Sequence, residues 1–465
     1  MDQSSKVPVL LRRVPTSTLS RIFTLVKEER YDVFDVSRGP WALSHVCRDW
    51  RAILLLGSLW TGLSVDQTKC SFKLKDPLSL LQTALSRLGP FHPLDFTFRT
   101  NYRCFDESQK GIVDALLLEV IQVSKQWRIA TIELSPERMR TLFTVRNNTP
   151  NLQTLHLKCS DIHEFGTIDA FALSPNLSKV TLQNFGHLKN RIELPYPRLV
   201  AFSDDREWGD ESMTEYYVAL LRRSPKLERL LTNHQLLGPH SKKPGLFSKA
   251  KPSIITNASL RDLHACDSAL MRRISLPALE SLTVNSYDVT LPDDILPAIR
   301  DMLVQSKCAL RTLSIFDPPG SSDLTRILEI NPQLTELRLR FPSWSKKQDN
   351  TIKSLIATVV KRANSFLPQL RVLDINMYDC EFLGVGFAFI STGLLDLVKA
   401  RPGLRVLNVQ ILTQDVLSGL SPKDVNELRA FKEQGRELSI TTRGEYRKGT
   451  DDQRFTQTER LRVYV

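Results

Sequence analysis

One phrase recurs along this chain from about residue 127: a small or polar residue, often Pro, followed by Leu-x-x-Leu-x-Leu. It runs from Asn151 to Leu157, Asn176 to Leu182, Lys226 to Leu230, Ser259 to Leu263, Ala278 to Val284, Ala309 to Ile315, Gln333 to Leu339, Gln369 to Ile375 and Gly403 to Val409. Weaker copies begin at Ile129 and Leu199. The last two apolar positions of each phrase are two apart, the period of a strand, so the alternating residues belong to the opposite face. Segments of helical pattern lie between copies, from Glu107 to Trp127, Met213 to Arg223, Asp293 to Ser306, Asn350 to Phe366 and Leu394 to Ala400. Strand, helix and strand at spacings of about 19 to 36 residues require crossover returns, which make neighbouring strands parallel. Units this short bury their leucines only by stacking on one another. The expected fold class is therefore α/β, an irregular solenoid whose parallel sheet forms an arc with helices outside. Leu63-x-Val65 and Leu94-x-Phe96-x-Phe98 are candidates for its first strands. With about eleven strands spaced about 4.8 Å apart, the sheet extends on the order of 50 Å, a surface suited to a protein-sized partner.

The first 60 residues follow a different period. Leu19, Ile22, Phe23 and Val26 have the i, i+3, i+4, i+7 spacing of a one-faced helix, and Pro15 suits the helix start ahead of Ser17 and Thr18. Trp41 to Leu56 repeats the pattern through Leu43, Val46, Cys47, Trp50 and Ile53 or Leu54, and Leu59-Trp60 closes it. Two or three short helices in so few residues bury little surface alone and must lean on the rest of the chain or on a partner.

These strings resemble two known families. Val14-Pro15, Leu19, Ile22-Phe23, then Val46-Cys47-Arg48-Asp49-Trp50-Arg51 and Leu59-Trp60 resemble an F-box, especially the divergent fungal form, over about a tenth of the chain. The sequence departs from it by a polar insert, Lys27 to Pro40. The repeated phrase resembles the leucine-rich repeat over roughly residues 90 to 440, in its Leu-x-x-Leu-x-Leu core. The Asn or Cys that normally follows is replaced, by Ser160 and Phe185 at the two matching positions. The resulting division is an F-box-like module over 8–62 with its insert at 27–40, a repeat solenoid over 63–440, and a tail over 441–465.

Composition narrows the alternatives. At 465 residues with 42% apolar side chains, the chain can bury a substantial core in more than one unit. A formal net charge of +12 and a pI of about 9.4 raise the question of nucleic acid or an anionic membrane. The excess is dispersed, however, with no basic block of the kind that tracks a phosphate backbone. The densest patch, His240 to Pro252, holds four lysines broken by prolines. It reads as a solvated loop, with nuclear import or anion contact as the alternative. Seven widely spaced cysteines with no C-x-x-C pair suit reduced thiols of an intracellular protein. The apolar run Val7 to Leu11 is too short for a signal peptide. The uncharged stretches 53–65 and 382–395 fall short of the roughly 18 apolar residues of a membrane span. Cytoplasm, nucleus or both is the expected location, with no membrane.

Candidate chemistry is sparse. His156-x-x-Cys159-x-x-x-His163 combines three ligand types without a fourth nearby, and zinc needs four ligands or three plus water, so a strand histidine before a buried Cys is preferred and no metal is expected. Cys47 lies beside Arg48 and Arg51, which favour a thiolate, but His45 two residues away does not face it on a helix; packing is the better reading. Gly384-Val-Gly386 lacks its third glycine, and no phosphate-binding, nucleophile-elbow or zinc-hydrolase motif occurs. No cofactor and no catalytic residue is assigned, and the chain is expected not to be an enzyme.

What remains are two surfaces. Residues alternating with the strand leucines are candidates to grip a target: His156, Lys158, Lys179, Phe316, Arg338, Arg340, Asp374 and Asn408. The Arg338-Arg340 pair could hold a carboxylate or phosphate through forked donors, although most such residues in a sheet are simply solvated and binding energy concentrates in a few. The resemblance to F-box proteins implies the other surface: a Skp-family adaptor docked on Pro15, Leu19, Ile22, Phe23, Val46, Cys47, Trp50, Leu59 and Trp60, linking the chain to a cullin. The function so implied is that of a substrate-recognition subunit of an SCF-type ubiquitin ligase, monomeric within the complex and binding an unidentified protein on the repeats. The alternatives are a leucine-rich-repeat scaffold unconnected to ubiquitin, whose helices only cap the array, and a nucleic-acid-binding protein.

Overall fold

The computed structural model describes residues 14–26, 30–55, 57–66, 76–100, 107–159, 165–185, 191–209, 211–236, 253–285, 291, 294–318, 322–343, 346–379, 388–411, 422–433 and 435–442. The chain divides into two compact units, Met1–Trp208 and Gly209–Val465, each an α/β layer with a parallel sheet.

The first unit opens with helix α1, Thr16–Val26, begun by a hydrogen bond from the Leu19 N–H to the Pro15 carbonyl at 3.0 Å. Leu19 and Phe23, four apart, face inward, while Ile22 is 43% and Leu25 77% exposed. Of the expected stripe's described side chains, the i, i+4 pair Leu19 and Phe23 is core and Ile22 is not. Strand β1, Tyr31–Asp32, arises inside the polar insert. It pairs in parallel with β2, Gly62–Asp66, placing Tyr31 opposite Leu63. The described part of the insert thus founds the sheet. The Trp41 to Leu56 pattern forms two helices, α2 (Gly39–Ser44) and α3 (Arg48–Ile53). They are separated because Cys47 is extended and caps α3, its Sγ accepting from the Trp50 N–H at 3.4 Å.

Further on come α4, Pro77–Leu88; β3, Leu94–Arg99; α5, Glu107–Gln122; β4, Trp127–Leu134; α6, Pro136–Met139; and β5, Thr154–Cys159. Then follow β6, Thr167–Ile168; β7, Lys179–Gln183; β8, Arg191–Ile192; and β9, Ala201–Gly209. The expected helix from Glu107 to Trp127 stops at Gln122, because a single 3-10 turn over Ser124–Gln126 redirects the chain. Trp127 instead begins a strand and donates its indole N–H to the Val120 carbonyl at 3.1 Å. The main sheet runs β1-β2-β3-β4-β5-β7-β9, every pairing parallel, while β6 and β8 pair with each other.

The second unit holds α7, Glu211–Arg223; β10, Arg229–Leu236; β11, Ile255–Thr256; β12, Asp262–His264; α8, Ser268–Met271; β13, Ile274–Ser275; and β14, Ser281–Val284. It continues with α9, Ile295–Ser306; β15, Thr312–Phe316; α10, Asp323–Glu329; β16, Glu336–Ser343; α11, Lys346–Lys361; β17, Val372–Asp379; α12, Ala388–Ala400; β18, Val406–Ile411; α13, Pro422–Glu433; and β19, Glu437–Thr442. Its main sheet runs β10-β12-β14-β15-β16-β17-β18-β19, again wholly parallel, and β11 pairs with β13. The register explains the recurring phrase. Leu263, Leu282, Leu313, Leu337, Leu373, Leu407 and Leu438 are aligned strand to strand, and each is buried. A one-residue slip on any strand would turn its leucine to the polar face, so this row fixes the register.

The loops are tied by side chains from the start of the phrase. Asn151 donates to the Lys125 carbonyl at 2.8 Å, Asn176 to that of Pro150 at 2.7 Å, and Gln333 to that of Cys308 at 3.3 Å. At Phe185, where the family-like Asn is missing, the carbonyl accepts from Arg206 at 3.0 Å, and Arg206 is held by the wholly buried Asp204 at 2.8 Å. The Phe185 carbonyl is thus satisfied by a side chain from a later strand. Ser160, the Lys27 to Glu29 part of the insert, the basic patch from His240 to Lys251, and residues 443–465 of the tail lie outside the described residues.

Candidate functional site

Two surfaces carry the sequence-derived candidates. On the helical module, Leu19, Phe23, Leu59 and Trp60 are buried within the chain. Trp60 is fully enclosed: its ring meets Trp41 at 4.9 Å and Tyr31 at 5.7 Å, both edge to face, and its N–H donates to the Leu54 carbonyl at 2.6 Å. The Arg87 guanidinium, from α4, lies 4.9 Å from the Trp41 ring centre and 4.8 Å from that of Trp60. These residues join the module to the sheet. Phe23 packs edge-on to the half-buried Trp50 at 4.7 Å, and Cys47 is half-buried at its cap position. What faces outward is Pro15, Ile22 and Val46, with Leu25 and Leu55, which the sequence reading had not assigned.

On the polar face of the first unit's sheet Lys158, Glu133, Arg99 and Asp66 neutralise one another. Glu133 accepts from Lys158 at 2.8 Å and lies 3.9 Å from Arg99, which is itself 3.9 Å from Asp66. Arg30, from the insert, reaches over the sheet to donate to Thr97 at 2.6 Å and Thr131 at 3.2 Å. His156 is half-buried; burial and, secondarily, the Arg30 charge lower its pKa from 6.5. Cys159 is buried, and His163, third member of the weighed ligand triplet, lies outside the described residues. Lys179 is exposed at the head of its strand.

The second unit differs. On its polar face a cavity of about 270 Å³ is lined by four strands. β12 supplies Asp262 and His264, β14 supplies Ser281 and Thr283, β15 supplies Thr312, Ser314 and Phe316, and β16 supplies Arg338 and Arg340; Asn285, just after β14, completes the rim. Arg338 lies opposite Ser314, and Arg340 opposite Phe316. The β15 end is held against β16 by the Asp317 N–H, which donates to the Arg340 carbonyl at 2.6 Å with Asp317 in the left-handed region at φ 48°. Arg338 donates to Glu336, two residues back on its own strand, at 3.0 Å. Arg340 forms no ion pair among the described residues. Three buried nitrogens here have no hydrogen-bond partner among the described residues: Nε of Arg338, Nε of Arg340 and Nε2 of His264. Burial lowers the His264 pKa from 6.5, the Asp262 charge raises it in part and the Arg340 charge lowers it further, so the imidazole is neutral at neutral pH.

The structure therefore brings Phe316, Arg338 and Arg340 together around one cavity. Asp374 and Asn408 satisfy each other instead, Asn408 donating to the carboxylate at 2.8 Å. Asp262 and His264 were not singled out in the sequence, although the same alternation along Ser259 to Leu263 places them on this face. Their phrase carries Ala265 where a larger third apolar residue normally stands, which weakens its signal. Among the described residues no three His, Cys, Asp or Glu side chains gather as a metal site, and no helix is long and apolar enough to cross a membrane.

Comparison of the sequence with models of protein families finds no matching family, and comparison with curated proteins finds no matching protein.

Proposed function

We propose that this chain is a substrate-recognition subunit of an SCF-type cullin-RING ubiquitin ligase, with the helical module docking a Skp-family adaptor and the polar sheet face of the repeats taking a protein target. The observation that carries the reading is the segregation of the module's apolar residues. Leu19, Phe23, Leu59 and Trp60 are consumed by the fold, whereas Ile22, Leu25, Val46 and Leu55, on or beside α1 and α3, stay 43%, 77%, 45% and 66% exposed. A helical cap that served only to close the sheet has no need of such side chains in water. The resemblance of the Val46 to Arg51 string to an F-box supplies the identity of the partner. The mechanism is proximity: a target held on the sheet has a raised effective concentration near the ubiquitin-charged enzyme, and the receptor contributes no reacting group.

Affinity purification of the full chain from its native cells tests this directly. Adaptor and cullin are expected together; a stable partner without either would favour the leucine-rich-repeat scaffold instead. A salt titration of binding to RNA or DNA separates the third reading, which requires a steep salt slope.

A further inference from the structure

We propose that the cavity over β12 to β16 is a carboxylate-binding subsite that takes one acidic side chain of a target peptide, with the Arg340 guanidinium as its principal holder. The proposal rests on the reading that this sheet face meets a protein target, and it is independent of the adaptor.

The sign of the ligand follows from the uncompensated donors. Buried hydrogen-bonding groups left without partners are costly, and more so when charged. The cavity collects such groups on two strands, the Nε atoms of Arg338 and Arg340 and Nε2 of His264. The first unit's sheet face shows the contrast, since its Lys158, Arg99 and Glu133 form ion pairs with one another or with Asp66.

The charge number follows from the carboxylates present. Arg338 is already matched by Glu336 at 3.0 Å, which leaves Arg340 as the cavity's cation without a carboxylate among the described residues. Asp262 lines the same cavity and disfavours a second negative charge near it. One forked cation with one anion nearby suits a planar monoanion held by two parallel N–H bonds, rather than a phosphate dianion. The hydroxyls of Thr283, Thr312 and Ser314 are placed to hydrogen-bond around it.

The source follows from size and setting. A volume of about 270 Å³ is below the roughly 300–1,000 Å³ of sites that engulf free small molecules. It lies among short polar side chains on the face of a sheet, where a side chain projecting from an extended peptide can enter.

The test is selection of a random dodecapeptide phage library on the full chain, followed by titration calorimetry with synthetic peptides capped at both ends. Selected peptides are expected to share an Asp or Glu at one position. Changing it to Asn or Gln should weaken binding roughly tenfold to a hundredfold, the range of a charge-assisted hydrogen bond. Arg340→Met should lose the selection for the acid, while Arg340→Lys, which keeps the charge but not the fork, should retain it with at least about fivefold weaker binding. Circular dichroism melts confirm that both variants fold. Selected peptides without a common acid, or unchanged affinity in both Arg340 variants, would overturn the proposal. So would a phosphoserine peptide binding more than tenfold tighter than its Glu counterpart, or capped free glutamate competing as well as the peptide. None of these outcomes bears on adaptor binding, which is read separately by copurification.

Discussion

If Ile22 and Val46 are docking residues and Trp60 is a core residue, substitutions at the two kinds of site should fail in opposite ways. Full burial of an Ile, Val or Leu side chain is worth about 1.5–3 kcal/mol. Scaled by the exposed fractions of Ile22, Leu25, Val46 and Leu55, covering all four yields roughly 3.5–7 kcal/mol, of which Ile22 and Val46 supply about 0.7–1.3 each. In Ile22→Asp with Val46→Asp that gain is lost, and two carboxylates must lose water in the complex. Adaptor affinity should fall by at least about 3 kcal/mol, more than a hundredfold. Because each side chain is already a little under half exposed, the midpoint of unfolding should shift by much less than for a core substitution, by no more than the equivalent of about 2 kcal/mol. Trp60→Ala empties a fully buried site, removes two edge-to-face ring contacts and leaves the Leu54 carbonyl unpaired, at a cost of about 4–6 kcal/mol. Biolayer interferometry against purified Skp-family adaptor, beside urea unfolding followed by tryptophan fluorescence, measures both axes. A folded double-Asp variant that keeps its affinity within about threefold refutes the docking face; one that loses more than about 2 kcal/mol of stability shows that these residues are packed within the chain.

Three further outcomes follow from the second unit and from the loop ladder. His264 has a folded pKa below 6.5, so the unfolded chain takes up its proton first and the stability held above pH 6.5 drains away as pH falls toward the folded value. The charged groups that act on it are Asp262 and Arg340, and Arg338 lines the same cavity. His264→Gln should therefore lose less melting temperature than the parent chain between about pH 7.5 and about pH 5.5, and equal losses would contradict the assignment. Buried Arg401 donates to the carbonyls of Ala363, Phe366 and Val359 behind α11. Arg401→Met should cost about 3 kcal/mol in a urea melt, with a change under about 1 kcal/mol counting against a structural role. Asn176→Ala frees the Pro150 carbonyl and should cost about 1 kcal/mol, whereas a neutral effect would mean water replaces the amide fully.

Much of the first sheet was legible because a strand announces itself by a two-residue period. Leu63-x-Val65, Leu94-x-Phe96-x-Phe98 and Leu155-x-Leu157 were each placed correctly on strands, whereas Cys159, expected in the turn after the last of these, is still part of it. The strand at Tyr31–Asp32 was not placed, since two residues carry no period and their neighbours are polar; what fixes it is Tyr31 packing on Trp60 and pairing with Leu63. Helices α4 and α13 were likewise missed, whereas α11 was found from its apolar spacing. At the cavity, Phe316, Arg338 and Arg340 were legible from alternation, and His264 was obscured by Ala265.

The sequence by itself determined the class of fold and the sidedness of its strands, because short leucine phrases can be buried only in a stack and alternation leaves no choice of face. Tertiary structure decided which members of each set are available. Leu19 and Ile22 belong to one helical pattern, yet one packs inward and the other meets water; Asp374 and Arg340 sit on one polar face, yet Asn408 satisfies the first and, among the described residues, no carboxylate pairs with the second. Periodicity assigns a side chain to a face, but whether that side chain is spent depends on neighbours brought from distant parts of the chain, and only the folded register supplies those.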